Sequence, residues 1–108
     1  MEMLNRIELT GWVGNVRITE VGDTRTARIS VATDYCYKDR DGHAVIETTW
    51  HQVIIWEKDA LGSGNLEDIQ RGCAINVKGR IRNQRWINVE GRESTSAEVI
   101  AYAWKIVK

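Results

Sequence analysis

Hydrophobic and polar residues alternate over much of this chain, most clearly in the stretch Thr48–Trp56 (TTWHQVIIW). This stretch has no Gly or Pro and is rich in β-branched and aromatic residues, which favours a β-strand. Successive side chains of a strand point to opposite faces. One face is therefore predicted to carry Trp50, Gln52, Ile54 and Trp56, and the other His51, Val53 and Ile55.

Other segments show similar alternation and are separated by turn residues. The predicted strands are Asn5–Val13, bent at Gly11 and Gly14 and continued by Val16–Ile18, then Arg25–Thr33, Cys73–Arg82, Arg85–Val89 and Thr95–Val107. The predicted turns are 21–24, 41–42, 83–84 and 90–91. In Arg25–Thr33, the residues Ala27, Ile29 and Val31 share one face. In Cys73–Arg82, the predicted inward residues are Ile75, Val77, Gly79 and Ile81, and the outward ones are Asn76, Lys78, Arg80 and Arg82.

Two segments have a different character. The polar segment Asp34–Glu47 contains Asp41-Gly42, a strong hairpin signal, and predicts a two-stranded finger with Tyr35 and Tyr37 near its base. The segment Glu57–Gly72 is the one helix candidate, because Asn65 can cap a helix and Gly72 can end it.

Five or six strands with one short helix between the third and fourth predict an all-β protein. This order is typical of the OB-fold, a five-stranded Greek-key barrel. The chain has 108 residues, no Pro, no visible repeat and no linker, so residues 1–108 are expected to form one OB-fold domain.

The two tryptophans of the central strand suggest a function. Trp50 and Trp56 are six residues apart on one strand face, roughly 20 Å at about 3.3 Å per residue. Nucleic-acid bases are planar, and stacking on an aromatic side chain contributes about 1–3 kcal/mol per base. The alternative interpretation is that both rings belong to an ordinary hydrophobic core.

The charge distribution supports a nucleic-acid partner although the formal net charge is zero. Residues 71–92 hold six basic residues and one acidic residue, a net charge of +5, whereas residues 1–70 are net negative. The outward row of Cys73–Arg82 would place much of this charge on one strand face, and such a basic stripe is typical of nucleic-acid binding.

The composition also limits the cellular setting. Hydrophobic residues make up 43% of the chain, yet no apolar run could span a membrane and no secretory signal is visible. A cytoplasmic protein without a membrane partner is expected. In that compartment Cys36 and Cys73 are expected to be free thiols.

The ordered motifs resemble those of the bacterial single-stranded DNA-binding proteins, over about Asn5 to Val107. The segments that carry the resemblance are Asn5-Arg6-Ile7 with Thr10-Gly11-Trp12-Val13-Gly14, Ala27–Thr33, Tyr37-Lys38-Asp39, Thr49-Trp50-His51-Gln52-Val53, Lys58, Arg71-Gly72, Val77-Lys78-Gly79-Arg80-Ile81, Arg85-Trp86 and Ala97-Glu98-Val99. The resemblance implies stacking of bases on four aromatic residues, namely Tyr37, Trp50, Trp56 and Trp86. It also implies backbone contacts from basic residues, and together with the outward row the candidates are Lys38, Lys58, Lys78, Arg80, Arg82 and Arg85.

The resemblance has further implications for assembly. It implies a homotetramer, with a dimer as the alternative, formed near the first strand and His51. This sequence departs from the family pattern in the shortened loop after Gly14 and in the spacing of 59–68. It also stops at Lys108 without the acidic tail through which relatives recruit replication and repair proteins, so recruitment of that kind is not expected.

Other functions have weaker support in the sequence. His43, His51, Cys36 and Cys73 are scattered and lack the spacing of a zinc site, so neither a metal nor another cofactor is expected. No nucleophile or phosphate-loop motif indicates an enzyme. The main alternative is an OB-fold primosomal interaction protein in which DNA binding is secondary. A third interpretation is an RNA-binding OB domain, because base stacking does not distinguish ribose from deoxyribose.

Overall fold

The computed structural model describes residues 1–107, and six strands account for most of them. The strands are β1 (Ile7–Val21), β2 (Thr24–Lys38), β3 (Ala44–Trp56), β4 (Leu61–Gly62), β5 (Ala74–Ile87) and β6 (Glu93–Val107). Each predicted strand overlaps one of these strands, although Asn5–Val13, Cys73–Arg82 and Arg85–Val89 extend one or two residues beyond the observed limits, and most of the observed strands are longer than predicted. The all-β prediction is therefore confirmed.

Five of the strands close into a barrel. The antiparallel pairs β3–β2, β2–β1, β1–β5 and β5–β6 form a continuous sheet, and a parallel pairing between β3 and β6 joins its two ends. The two-residue strand β4 adds to the outer edge of β6. The five-stranded barrel predicted from the sequence is confirmed.

The interior of the barrel is filled by the inward faces of these strands, as the alternation predicts. Ala27, Ile29 and Val31 of β2 are buried, and so are Val53 and Ile55 of β3. The remaining members of the core are Leu9, Val13, Leu66, Ile69, Ile75, Val77, Val99, Ala101 and Trp104. Trp104 is the core tryptophan, with only 5% of its surface exposed.

The predicted bend in the first strand is confirmed as a β-bulge. In the β1–β2 register Val13 lies opposite Val31 and Val16 opposite Ile29, so two residues of β1 face one of β2. The extra residue bends β1 as barrel closure requires. At Gly11 the strands approach so closely that an added Cβ would lie 2.1 Å from the Ala32 carbonyl oxygen.

The predicted turn at Asn83-Gln84 is wrong. Strand β5 runs through it to Ile87 and stays in register with β6, so Arg85–Val89 is not a separate returning strand. The turn lies at 88–92, where Gly91 has a φ of +78° and Asn88 Oδ1 accepts hydrogen bonds from two backbone N–H groups. Asn83 and Gln84 lack the glycine that a tight hairpin favours.

The predicted helix is also largely wrong. Between Glu57 and Gly72 the structure has one 3₁₀ turn, Leu66–Asp68, in which the Asn65 N–H donates to Asp68 Oδ2 at 3.0 Å. Leu66 and Ile69 cover one end of the core, as an apolar helix face would. No helix in residues 1–107 is long and apolar enough to cross a membrane.

Two positions of β5 have a different exposure from that expected. Asn76 lies on the outer face, as predicted, but it is buried there between Glu8 and Thr10 of β1, because its amide donates to Glu8 Oε2 and Thr10 Oγ1, both at 2.9 Å. Ile81 was expected inward but is 43% exposed. From this point the β5–β6 hairpin extends past the closed part of the barrel, so its inward face is no longer covered.

The long connection after β3 is attached to the barrel by charge. Arg25 of β2 donates to Glu57, with 2.6 Å between Nη2 and Oε2, and also to Glu67 in the 3₁₀ turn. The hydrogen bond from Arg25 lowers the pKa of Glu67 below its usual value of 4.5, and the two acids raise the pKa of Arg25. A single guanidinium thus joins β2 to the connection between β3 and β5.

We expect the ion pair between Arg25 and Glu67 to make the stability of the protein depend on pH in the acidic range. The pKa of Glu67 is lower in the folded state than in the unfolded state, where it is near 4.5. The contribution of Glu67 to the free energy of unfolding is therefore complete above the unfolded-state pKa and is lost as the pH falls through the folded-state pKa. The free energy of unfolding, measured with urea between pH 3 and 6, should therefore fall less on acidification in Arg25→Gln than in the wild type. Arg92→Gln, which removes a solvent-exposed arginine from the turn at 88–92, is the control. Identical acid dependence in the wild type and Arg25→Gln would contradict this assignment.

Candidate nucleic-acid interface

The outer face of β3 carries both tryptophans of the central strand. The unbroken β2–β3 register places Trp50, Gln52, Ile54 and Trp56 on this face, as predicted. Trp50 is 57% exposed and Trp56 is half-buried, whereas Ile54 between them is buried. The alternative that both rings belong to the core is therefore wrong for Trp50, and Trp104 has that role instead.

Trp50 lies against the β-bulge of β1. A Cβ added to Gly14 would be 2.6 Å from Trp50 Cζ3, so only glycine leaves room for the indole at this point. Beside the ring is a shallow cavity of about 320 Å³ lined by Gly14, Asn15, Ser30, Trp50, Gln52 and Arg71. An exposed ring next to a cation and polar side chains suits a base and its phosphate.

Trp86 shares the outer face of β5 with Arg80 and Arg82, and it is exposed. Arg82 donates from Nε to Glu98 Oε1 at 3.0 Å, and Glu98 is only 5% exposed. The second oxygen of Glu98 lies 4.0 Å from Arg28 Nη1. One buried carboxylate thus holds two arginines from different strands on the same surface.

Tyr37 is separated from these tryptophans. In the regular β2–β3 ribbon, Tyr35 and Tyr37 project from the face opposite to Trp50 and Trp56. The two tyrosine rings pair with their centroids 6.0 Å apart. The structure therefore does not place the four aromatic residues named by the family resemblance on one strand face.

The predicted basic residues are also divided. Lys38 ends β2 near the finger tip, and Lys58 is exposed in the turn after β3. Lys78 lines a different cavity together with Glu8 and Tyr102. Arg85 points to the face of β5 opposite to Arg82 and pairs with Glu93 at 3.3 Å. Of the predicted basic residues, Lys78, Arg80 and Arg82 alternate onto the strand face of β5 that carries a predicted stacking residue, Trp86, and Arg80 and Arg82 are nearer to it along the strand.

Sequence reasoning missed three arginines near the tryptophans. Arg71 lies beside Trp50, and Arg17 and Arg28 line a cavity with Trp56. The outward position of Arg28 follows from the alternation in β2, so the sequence pattern could have identified Arg28 as a candidate. The position of Arg17 could not be inferred, because the bulge before it changes the face to which the later residues of β1 point.

The histidines and cysteines have structural surroundings. Thr33 Oγ1 lies 2.8 Å from His51 Nε2, so the partly buried His51 is hydrogen-bonded within the β2–β3 ribbon. Cys36 and Cys73 are free, as predicted. His43 is exposed in the hairpin turn with Asp39 and Asp41, but Asp39 Oδ1 already accepts two backbone hydrogen bonds that form this turn.

The five-stranded closed barrel defines the class of an OB-fold protein. Comparison with solved structures confirms the fold. The Plasmodium falciparum SSB in complex with ssDNA superposes with a TM-score of 0.83 at 22% identity, covering 100% of this chain and 98% of that one. A deletion mutant of the single-stranded DNA binding protein from Thermus aquaticus gives 0.76 at 17% identity, covering 97% and 51%.

Sequence comparison then identifies the family. The model of the single-strand binding protein family matches residues 4–107. The single-stranded DNA-binding protein 1 of Xylella fastidiosa is 33% identical over 94% of this chain and 75% of its own length. The single-stranded DNA-binding protein of Xanthomonas axonopodis pv. citri is also 33% identical over 91% of this chain, which spans only about half (54%) of that relative. The chain belongs to the single-strand binding protein family.

The packing of Trp50 on the bulge can be tested with Gly14→Ala. The added methyl would collide with the indole at 2.6 Å, so we expect the ring to be displaced with a change in tryptophan emission. The barrel should remain folded, because an exposed ring can move outward. Fluorescence spectra and thermal unfolding measure these two effects. An unchanged emission spectrum would contradict the described contact between Gly14 and Trp50.

Proposed function

We propose that this protein binds single-stranded DNA without sequence specificity. The observation that carries the proposal is the outer barrel surface, where exposed or half-exposed tryptophans alternate with arginines on neighbouring strands. Every base has a flat face, so stacking on Trp50, Trp56 and Trp86 would tolerate any sequence. Paired bases of a duplex are not free to stack in this way.

Affinity in this mechanism has a second, electrostatic component. Lysines and arginines neutralise phosphates and release condensed counterions, so binding weakens as salt rises. Arg80 and Arg82 lie on the face that carries Trp86, and Lys38, Lys58, Lys78 and Arg85 are proposed to contact the strand as it leaves the tryptophan surface. Tyr37 would take part only if the strand passes around the edge of the β2–β3 finger, because its ring lies on the other face of that ribbon.

The names of the curated relatives support this function. They are single-stranded DNA-binding proteins of bacteria, including those of Xylella and Xanthomonas. On this proposal the protein protects exposed single strands during replication, recombination or repair, in the cytoplasm or nucleoid of a bacterial cell. It needs no cofactor, because stacking and phosphate contacts use the side chains of the chain itself.

We further propose assembly of several copies, with a tetramer favoured over a dimer. The support is a cavity of about 230 Å³, lined in part by Ile7, His51, Ile81 and Val99, where apolar surface leaves the covered part of the barrel. Covering this surface with a second copy would remove apolar area from water. Wrapping one strand over several copies would raise affinity through effective concentration. Sedimentation equilibrium tests this, and a monomer at micromolar concentration would contradict it.

The stacking residues can be tested one at a time. Replacing Trp50, Trp56 or Trp86 with Ala should each weaken oligo-dT binding by about 1–3 kcal/mol, the usual contribution of one stacked base. The measurement is a fluorescence-anisotropy titration with labelled dT, with circular dichroism as the check on folding. Leu61→Ala is the control, because Leu61 is a large exposed apolar residue of β4 that has no place in the proposed path of the strand.

This experiment also separates the proposal from its main alternative. In a primosomal interaction protein, DNA binding would be secondary and the three tryptophan variants would bind dT as weakly as the wild type. If the tryptophan variants bind oligo-dT as tightly as Leu61→Ala does, the stacking mechanism is contradicted.

A further inference from the structure

A second cavity on the outer surface has the features of a nucleotide site. It encloses about 290 Å³ beside Trp56 and spans strands β1, β2 and β3. Its lining residues are Arg17, Thr19, Val21, Thr26, Arg28 and Trp56. It combines one aromatic ring, two cations and two hydroxyl groups, which together match a base and a phosphate.

The two arginines of this cavity lie directly opposite each other. Arg17 of β1 pairs in register with Arg28 of β2 on the outer face. The Cβ atoms of such cross-strand pairs are about 4.5–5.5 Å apart, and like charges in this arrangement are destabilising. Arg28 is 4.0 Å from Glu98, whereas Arg17 forms no ion pair with any acidic residue in the described part of the chain. An anion bound between the two guanidinium groups would reduce their repulsion.

Thr26 adds a buried donor to the same cavity. It lies opposite Trp56 in the β2–β3 register and is only 5% exposed. Within residues 1–107 its Oγ1 has no hydrogen-bond partner. A buried hydroxyl without a partner is unfavourable, and a phosphate oxygen could accept its hydrogen bond.

We propose that Arg17, Arg28 and Thr26 form a phosphate site for the nucleotide whose base stacks on Trp56. This assignment rests on the proposed function and extends the path of the DNA strand onto the β1–β2 ribbon. Neither arginine is implied by the resemblance to the family. The occupant is the phosphodiester of a single strand, because an isolated phosphate would leave the ring of Trp56 without a stacking partner.

Arg17→Gln is the decisive variant, because no acidic residue within 1–107 pairs with Arg17 and would be left without its cation. Poly-dT affinity is measured over a series of NaCl concentrations for the wild type, Arg17→Gln, Arg28→Gln and Lys105→Gln. Each phosphate contact contributes about 0.7 to the slope of log K against log salt for single strands. We expect the slope to fall by about 0.7 in each arginine variant. Lys105→Gln removes the same charge from β6, opposite Asn76, and should keep the wild-type slope.

Stability separates a binding role from a structural one. Because Arg17→Gln removes a like-charge contact, its melting temperature should equal or exceed that of the wild type while its affinity for poly-dT falls. Thr26→Val should weaken binding without changing the salt slope, because a neutral donor releases no counterion. A wild-type slope in Arg17→Gln would overturn this phosphate site alone. A wild-type protein that fails to bind poly-dT would overturn the proposed function and the site with it.

Discussion

The parallel pairing of β3 with β6 is the constraint on which the rest of the structure depends. It closes the barrel through Val53, Ile54 and Ile55, which lie opposite Val99, Ile100 and Ala101. Closure buries Val53 and Ile55, and strand alternation then sends Trp50 and Trp56 to the outer surface. A slip of one residue would bring both indoles inside and expose the aliphatic face. The hydrophobic core and the candidate DNA surface are therefore two consequences of the same register.

Electrostatics explain how a chain with no net charge can offer a basic surface. Glu98 is buried on the outer face and contacts both Arg82 and Arg28, so part of the negative charge holds arginines in place. Arg25 likewise uses Glu57 and Glu67 to fix the connection after β3. Arg17, without an acidic partner among the described residues, has its charge available for an external anion. The arrangement of the charges, more than their sum, determines what this surface binds.

The sequence predicted the barrel well because alternation is a direct consequence of strand geometry. It grouped Ile29 with Ala27 and Val31 on one face, it separated the face of Trp50 from that of Val53, and it located the bend of β1 from Gly11 and Gly14. It failed where longer-range contacts decide the outcome. Asn83-Gln84 continues β5 because β6 pairs with it along its whole length, and the predicted helix gives way to β4 and a 3₁₀ turn. Motif resemblance named Tyr37 with the tryptophans but could not show that its ring lies on the other face of the finger. The pairing of Arg17 with Arg28 required the register across the bulge, which no local pattern supplies.

Intrinsic tryptophan fluorescence during titration with poly-dT tests the central claim most directly. The titration is carried out at low and at high salt, with duplex DNA as the control. The account predicts strong, saturable quenching by the single strand alone, weakened but not abolished by salt, since stacking persists when phosphate contacts are screened. Little quenching, or an equal response to duplex DNA, would show that the exposed tryptophans do not stack on bases and would contradict the account.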